Sequence, residues 1–408
     1  MTNEMTSSSQ KIWTKDFFSI SFVHFIVFVI FYTLLTTLPL YVVNDLKGTE
    51  AQGGLIVTSM LLAAILIRPF SGNLLESAGK EKVLKGSVLL FTITTFGYMW
   101  VEGFTALILL RFIHGLSFGI ATTATAAIAA DALPAKRRGE GLGYFTMAMN
   151  LAVVAGPFIG LTLIQFVSFY HLFIILIIFM IIGVICTFFI NVPETEKTKE
   201  SLQKRKLSLD SLFEFRAMPI SLISSLVAFA YAGIVSFISV YASNIGLGHM
   251  SNYFFLVFAV TMLAFRPFLG RLFDQLGPKI VILPCLFLFS CGLIVLSIAE
   301  SGLLFLLSAA LIGVGYGTIL PCVLSLAVQY APDTRNGHAT ATFFTLYDLG
   351  IAVGSYILGI VVSMTGFSHM FVYSSILVVI TAAGFYFLLN RSEAKEKVGL
   401  HYEKADNR

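Results

Sequence analysis

Residues 68–79 read RPFSGNLLESAG, and residues 266–277 read RPFLGRLFDQLG. Both copies fit an ordered Arg-Pro-Phe-x-Gly-x-Leu-x-acid-x-x-Gly pattern, and an offset of 198 residues relates them. The same offset aligns glycine, proline, arginine and phenylalanine residues further along: Gly115 with Gly313, Gly119 with Gly317, Pro134 with Pro332, Arg137 with Arg335, Gly139 with Gly337, Phe145 with Phe343, and Gly156 with Gly354. One offset that holds over this distance predicts a duplicated structural unit.

The composition around the repeat indicates a membrane protein. Charged residues make up 12% of the 408 residues and hydrophobic residues 57%, and the mean hydropathy is +0.89. A soluble domain carries about 25% charged residues because its surface faces water. We therefore expect lipid to be the outer solvent. The cysteines lie in apolar runs without metal-ligand spacing, so we predict packing roles for them and neither a metal nor a cofactor: Cys186, Cys285, Cys291 and Cys322.

Twelve apolar stretches approach the length that a spanning helix needs, which is about 20 residues. They are residues 17–43, 51–75, 83–100, 103–130, 140–165, 168–190, 217–243, 250–273, 279–298, 302–330, 338–363 and 369–390. We predict an all-α integral membrane protein with twelve transmembrane helices in two pseudo-symmetric six-helix bundles. Its predicted parts are an N-terminal bundle (1–190), a charged cytoplasmic linker (191–216), a C-terminal bundle (217–390) and a cytoplasmic tail (391–408).

The distribution of Lys and Arg predicts the orientation. If residue 1 is cytoplasmic, the basic residues collect in the segments on that side, and the external loops hold Lys47 alone. Cytoplasmic loops of membrane proteins carry an excess of Lys and Arg. We therefore expect a multi-pass protein of the cell (plasma) membrane with both termini in the cytoplasm.

Three motifs resemble those of the major facilitator superfamily of transporters. Residues 72–82 (GNLLESAGKEK) are similar to its signature G-x-L-x-D-x-x-G-R/K, with Glu76 in place of the usual Asp. Residues 107–115 (LILLRFIHG) resemble the embedded-arginine motif of proton-coupled members. Residues 152–160 (AVVAGPFIG) resemble the G-x-x-x-G-P-x-x-G motif of drug:proton antiporters, with Ala152 in place of the first Gly. The resemblance covers essentially the whole chain.

The duplicated loop residues are candidates for a conformational latch. Gly72 and Gly270 precede two cytoplasmic turns, where a missing side chain lets two helix backbones approach. The alternative is a tight turn with solvated charges, with the duplicated arginines reaching the membrane interface. Gly156 and Pro157 are candidates for a hinge or for a close contact with the other half, and the alternative is an ordinary proline kink. The latch and hinge candidates are Arg68, Gly72, Glu76, Gly79, Gly156, Pro157, Arg266, Gly270 and Asp274.

Polar residues inside apolar stretches are candidates for substrate binding or proton coupling. Arg111 is costly to bury, so we expect it to face a wet cavity or, alternatively, to pair with helix carbonyls. Asp348 lies near the predicted midplane, where an acid can bind a proton or close a polar network. Histidines in such positions can titrate near neutral pH, although a lone His in a bundle also serves as a packing residue. The candidates are Arg111, Asp348, His24, His114, Tyr347 as an aromatic cavity residue, and Asn150 as the counterpart of Asp348.

The resemblance implies a secondary active transporter that works by alternating access, and not an enzyme. The most specific function that the resemblance implies is proton-coupled efflux of a small drug-like or amphipathic molecule by a monomer. The expected partners are the small-molecule substrate, protons and the lipid bilayer, with no nucleic acid. The sequence contains no G-x-x-x-x-G-K-[ST] string, which is the motif that would predict ATP binding. Uptake or facilitated transport of a small metabolite remains the alternative, and a membrane enzyme or sensor is a more distant one.

Overall fold

The computed structural model describes residues 12–134, 138–190, 213–332 and 335–406. These residues contain no β-strand, and they include a short 3₁₀ helix, Gly248–Met250, besides the α-helices. The α-helices are α1 (Lys15–Asn44), α2 (Glu50–Ala78), α3 (Lys80–Gly97), α4 (Phe104–Asp131), α5 (Arg138–Phe166), α6 (Phe169–Thr187), α7 (Met218–Asn244), α8 (Ser251–Leu276), α9 (Pro278–Ser297), α10 (Gly302–Gln329), α11 (Asn336–Thr365) and α12 (Phe367–Asp406). The predicted all-α membrane fold is confirmed.

Eleven of these helices are long and apolar enough to cross a membrane, judged by length and composition. A lipid environment requires apolar side chains, and it offers no water to the backbone polar groups. A helix pairs these groups within itself, so the membrane explains both the apolar composition and the helical fold. Of the described helices, α3 falls short because its 18 residues include four charged side chains near its start. It also ends at Gly97, before the end of the predicted stretch 83–100.

The predicted linker and tail differ in how much of them the structure describes. Residues 191–212 of the predicted linker lie outside the described residues. The last helix runs on from its apolar part, Phe367–Asn390, as far as Asp406. Most of the predicted tail is therefore helical.

The chain forms two compact units. Unit 1 comprises Met1–Leu38 and Ser59–Arg205, and unit 2 comprises Pro39–Thr58 and Lys206–Arg408. Helices α1 and α2 therefore contribute residues to both units, whereas the sequence prediction placed both helices in the first bundle. The difference arises because the first part of α2 packs against α11, as described below.

The repeat is visible in the helix packing inside each unit. In unit 1, a Cβ at Gly115 of α4 would lie 2.9 Å from the carbonyl carbon of Met60 in α2. In unit 2, a Cβ at Gly313 of α10 would lie 3.0 Å from Cα of Phe258 in α8. The offset of 198 residues relates both members of this contact. Glycine is required at both positions because any side chain would push two helix backbones apart.

The turns at the ends of the two repeated strings have the same backbone conformation. Gly79 separates α2 from α3 with a φ of 91°, and Gly277 separates α8 from α9 with a φ of 86°. L-residues with a side chain rarely adopt a positive φ, whereas glycine does so at little cost. The last glycine of each string is therefore explained by a one-residue turn between antiparallel helices.

Candidate functional site

A buried polar cluster in unit 1 contains two of the predicted site residues. Arg111 and His114 lie one turn apart on α4, and both are fully buried. The hydroxyl of Tyr98, just after α3, lies 2.9 Å from Nδ1 of His114 and accepts a hydrogen bond of 3.4 Å from Nη1 of Arg111. Thr95 Oγ1 lies 3.5 Å from Nε2 of the same histidine. We name these four residues the Arg111 cluster.

The position of Arg111 corrects one expectation. A side chain with no exposed surface does not line an open, wet cavity in this state. Its charge instead lies among polar groups from α3 and α4, which lowers the cost of burying it. Tyr98 was missed in the sequence, because a tyrosine near a predicted helix end is typical of the membrane interface.

His24 of α1 occupies a separate position in unit 1. Its Nδ1 atom lies 2.8 Å from Oγ1 of Thr125, and its ring lies 4.6 Å from that of Phe28 and 4.2 Å from that of Phe145. Thr125 is 14 residues beyond Arg111 on α4, which corresponds to about 21 Å along the helix axis. The structure therefore does not bring His24 into the Arg111 cluster. It gives His24 the hydrogen bond and close packing expected of a packing histidine.

Unit 2 contains a cluster of three buried tyrosines from α7, α10 and α11. The hydroxyls of Tyr316 and Tyr347 lie 2.6 Å apart. The rings of Tyr316 and Tyr231 are stacked, with their centroids 3.9 Å apart and their planes at 14°. The buried hydroxyl of Tyr231 has no hydrogen-bond partner among the described residues, so it can bond to a ligand or water. Asp348 directly follows Tyr347 and is partly exposed.

The close approach predicted at Gly72 and Gly270 is wrong for this state. A Cβ at either position would meet no atom within 4 Å. Arg68 and Arg266 are both partly exposed, and their role in a latch stays a prediction. The structure does show an ion pair between Lys80, at the start of α3, and Asp131, at the end of α4. The remaining predicted residues, Glu76, Asp274 and Asn150, lie outside the residues whose side chains are described.

Gly156 and Pro157 lie in α5, where the glycine packs against α1. A Cβ at Gly156 would lie 2.8 Å from the carbonyl oxygen of Val29, and Thr33 Oγ1 donates a 2.8 Å hydrogen bond to the Gly156 carbonyl. The predicted contact with the other half is therefore replaced by a contact within unit 1. In unit 2, Gly354 of α11 packs on α7 with a corresponding distance of 2.7 Å to the carbonyl oxygen of Phe229. The hinge role stays a prediction.

The first part of α2 makes a close backbone contact with α11 that sequence analysis missed. A Cβ at Gly54 would lie 2.7 Å from the carbonyl carbon of Ser355 and closer still to its oxygen. Thr58 Oγ1 donates a 2.5 Å hydrogen bond to the carbonyl of Ala352. One end of the contact is a 3.3 Å hydrogen bond from Ser363 to the carboxylate of Glu50. We name this the α2–α11 contact.

A second polar contact fixes the segment before α7 to the start of α11. The side chain of Glu214 is 7% exposed and forms an ion pair of 2.6 Å with Nε of Arg335. Nη2 of the same arginine donates a 2.8 Å hydrogen bond to the carbonyl of Phe213. The backbone N–H of Glu214 donates a 2.9 Å hydrogen bond to Oγ1 of Thr342. These three contacts hold the segment before α7, where the predicted linker ends, against the start of α11.

A membrane protein with a duplicated helical scaffold and buried polar groups of this kind falls in the class of solute transporters. The chain belongs to the Major Facilitator Superfamily, whose family model matches residues 20–355 and 254–405. It is therefore a membrane transporter and not an enzyme.

Three relatives illustrate the similarity. An uncharacterised MFS-type transporter of Methanocaldococcus jannaschii is 27% identical over 381 residues, which cover 90% of this chain and 98% of that protein. The staphylopine export protein of Staphylococcus aureus is 24% identical, over 83% of this chain and 87% of its own length. The quinolone resistance protein NorA of the same species is 30% identical over 146 residues, which are 36% of this chain and 37% of NorA.

The solved structures match the same fold. The crystal structure of the nucleoside transporter NupG superposes with a TM-score of 0.72, at 17% identity, over 91% of this chain and 98% of NupG.

Proposed function

We propose that this transporter exports a small drug-like or amphipathic molecule by proton-coupled antiport through alternating access. The proposed direction of transport, out of the cell, is supported by the similarity to a staphylopine export protein over 83% of this chain and 87% of that protein. The partial match to a quinolone resistance protein supports a drug-like substrate. The motif at residues 152–160, which resembles that of drug:proton antiporters, is consistent with both.

The proposal places the protein in the cell membrane as a monomer with both termini in the cytoplasm. The asymmetric distribution of Lys and Arg supports this orientation. The two predicted bundles and the cytoplasmic linker at 191–216 belong to the same proposal. In this orientation the ion pair of Lys80 with Asp131 lies at the cytoplasmic side, and the α2–α11 contact lies at the external side.

Asp348 is the proposed proton-binding residue. A carboxyl group inside a membrane helix is costly when charged, so its charge state can follow hydration and neighbouring groups. Its neighbour Tyr347 belongs to the tyrosine cluster, which offers aromatic faces and hydroxyl groups suited to an amphipathic or cationic molecule. The Arg111 cluster is the proposed polar counterpart in unit 1.

Inverted membrane vesicles with an acidified lumen test the proposal, using a fluorescent quinolone as the probe. We expect uphill accumulation of the quinolone that an uncoupler abolishes. Asp348→Asn is expected to abolish accumulation and to leave binding of the quinolone to the purified protein unchanged. The matched control is Asp45→Asn, which removes an acid just beyond the end of α1 and is expected to accumulate the probe normally.

Two results would overturn parts of this proposal. Undiminished uphill accumulation by Asp348→Asn would remove this residue from proton coupling. Accumulation of the probe in right-side-out vesicles, driven by an inward proton gradient, would show uptake and refute export.

A further inference from the structure

An apolar groove runs along the outside of unit 1 between α2, α3 and α4. Two adjoining cavities, of about 400 and 280 Å³, share Leu74 of α2 and Ile120 of α4 as lining residues. Phe70 lines one of them and Leu90 of α3 lines the other. Phe70, Leu74 and Leu90 are 56%, 40% and 38% exposed. The groove therefore offers an exposed apolar surface that an elongated apolar chain can cover.

One positively charged residue, Lys82, lines the end of this groove near the start of α3. Its neighbours are engaged within the protein, because Lys80 pairs with Asp131 and Lys85 pairs with Glu81 at 2.5 Å. The side chain of Lys82 is exposed, and it forms no ion pair with the described residues. Its ammonium group is thus available to an anion from outside the protein.

The second copy of the repeat lacks these features. The offset of 198 residues pairs Lys82 with Ile280, and it pairs Gly86 with Pro284. Gly86 lines the groove, and a Cβ at this position would meet no atom within 4 Å. The glycine is therefore not needed for helix packing, and it keeps the groove open beside the charged residue. Neither the charge nor the opening is a requirement of the duplicated scaffold.

We propose that the groove binds one anionic phospholipid of the cytoplasmic leaflet, with an acyl chain along Leu74 and Ile120 and its phosphate at Lys82. The cytoplasmic leaflet carries the anionic lipids of a membrane, and basic residues near its surface attract them. An apolar channel with one cation at its end matches an acyl chain attached to an anionic headgroup. The occupant is thus distinguished from bulk lipid by its charge.

Native mass spectrometry of the purified full-length protein tests this site. The probes are phosphatidylglycerol and phosphatidylcholine with identical acyl chains, so the two lipids differ in headgroup alone. We expect the wild type to prefer phosphatidylglycerol, and Lys82→Gln to weaken its binding about fivefold, which corresponds to about 1 kcal/mol per basic residue. Binding of phosphatidylcholine is expected to be unchanged in this variant, and Lys82→Arg is expected to keep the wild-type preference.

Two further variants separate the groove from general surface charge. Gly86→Phe fills open space, so we expect it to lower binding of both lipids while the protein keeps its wild-type unfolding temperature. Arg271→Gln removes an exposed cation from the other copy of the repeat and is expected to bind both lipids as the wild type does. Equal binding of phosphatidylglycerol to the wild type and Lys82→Gln would overturn the proposal. Equal losses in Lys82→Gln and Arg271→Gln would also overturn it, because they would show unspecific attraction.

Discussion

The α2–α11 contact should weaken when Gly54 is replaced by alanine. The new methyl group would lie 2.7 Å from the carbonyl carbon of Ser355 and 3.1 Å from Cα of Tyr356. Carbon atoms in contact prefer separations of about 3.5–4.0 Å. Both obstacles are backbone atoms, so no side-chain rotation relieves the clash. The two helices must therefore separate by about 1 Å to accept the methyl group.

The cost of this separation follows from the contacts that it disturbs. Overpacking of a close contact typically costs about 1–3 kcal/mol. The 2.5 Å hydrogen bond from Thr58 to the Ala352 carbonyl is one turn away, and losing such a bond costs about 0.5–1.5 kcal/mol. We take about 2 kcal/mol for the sum after partial relaxation. Since about 1.4 kcal/mol changes an equilibrium tenfold, the population with this contact open should rise roughly 30-fold.

Labelling of a buried cysteine measures that population. Ser355→Cys, in a background without the four native cysteines, places a thiol on a fully buried side chain of α11. Its rate of reaction with a maleimide reports how often the contact opens, provided that the contact opens and closes faster than the thiol is labelled. Under this condition the rate is proportional to the open population, so we expect Gly54→Ala to raise it roughly 30-fold.

The matched control is Gly72→Ala, which makes the same substitution in the same helix. A Cβ at Gly72 meets no atom within 4 Å, so the gain in helix propensity is shared by both variants but the clash is not. We expect the labelling rate of Gly72→Ala to equal that of the parent protein. Equal rates for Gly54→Ala and Gly72→Ala would refute the reasoning from backbone contact.

Two further substitutions test the buried polar contacts. Arg335→Ala should lower the free energy of unfolding by about 2 kcal/mol, because it leaves the buried charge of Glu214 unpaired. This loss is smaller than the roughly 3–5 kcal/mol of a fully buried pair, because the Arg335 side chain is 36% exposed. Glu214→Gln leaves no buried charge and should lower the free energy of unfolding by less than half as much. Denaturant unfolding of the purified protein measures both values, and a larger loss in Glu214→Gln would contradict the reasoning. Tyr98→Phe removes the hydroxyl that contacts Arg111 and His114 and should lower stability by about 1–3 kcal/mol. An unchanged midpoint would show that water replaces this hydroxyl.

Sequence patterns predicted the duplication itself, and the structure shows helix contacts in which both members carry the same offset. Gly115 and Gly313 are examples, since each packs on a helix of its own unit. Gly54 belongs to no such pair, because its counterpart by the offset is Asn252. Its partner helix lies about 300 residues further along the chain, and nothing local to Gly54 indicates that partner. The close approach predicted at Gly72 was wrong because a glycine permits a close approach without requiring one, and the local sequence does not show whether a partner helix is present.

Polar residues could be selected from the sequence, but their partners could not. Arg111 and His114 are conspicuous because a charged or titratable group inside an apolar stretch is costly. Tyr98 became visible only when the fold placed the end of α3 against α4. The ion pair of Glu214 with Arg335 was missed for a related reason, since both residues lie in polar segments where charge is unremarkable.

The two buried clusters depart from the repeat that organises the rest of the protein. For six of the seven residues in these clusters, the residue of the opposite copy at the matching position is apolar: Ala309 for Arg111, Ile312 for His114, Leu296 for Tyr98, Leu293 for Thr95, Phe118 for Tyr316, and Met149 for Tyr347. The exception is Tyr231, which the offset pairs with Thr33. The same scaffold therefore folds with apolar side chains in these places. A buried polar group is costly unless it is paired, so packing alone gives no reason for either cluster. Substrate and proton binding should therefore be tested at these clusters, whereas the duplicated glycines belong to the helix packing that holds the clusters in place.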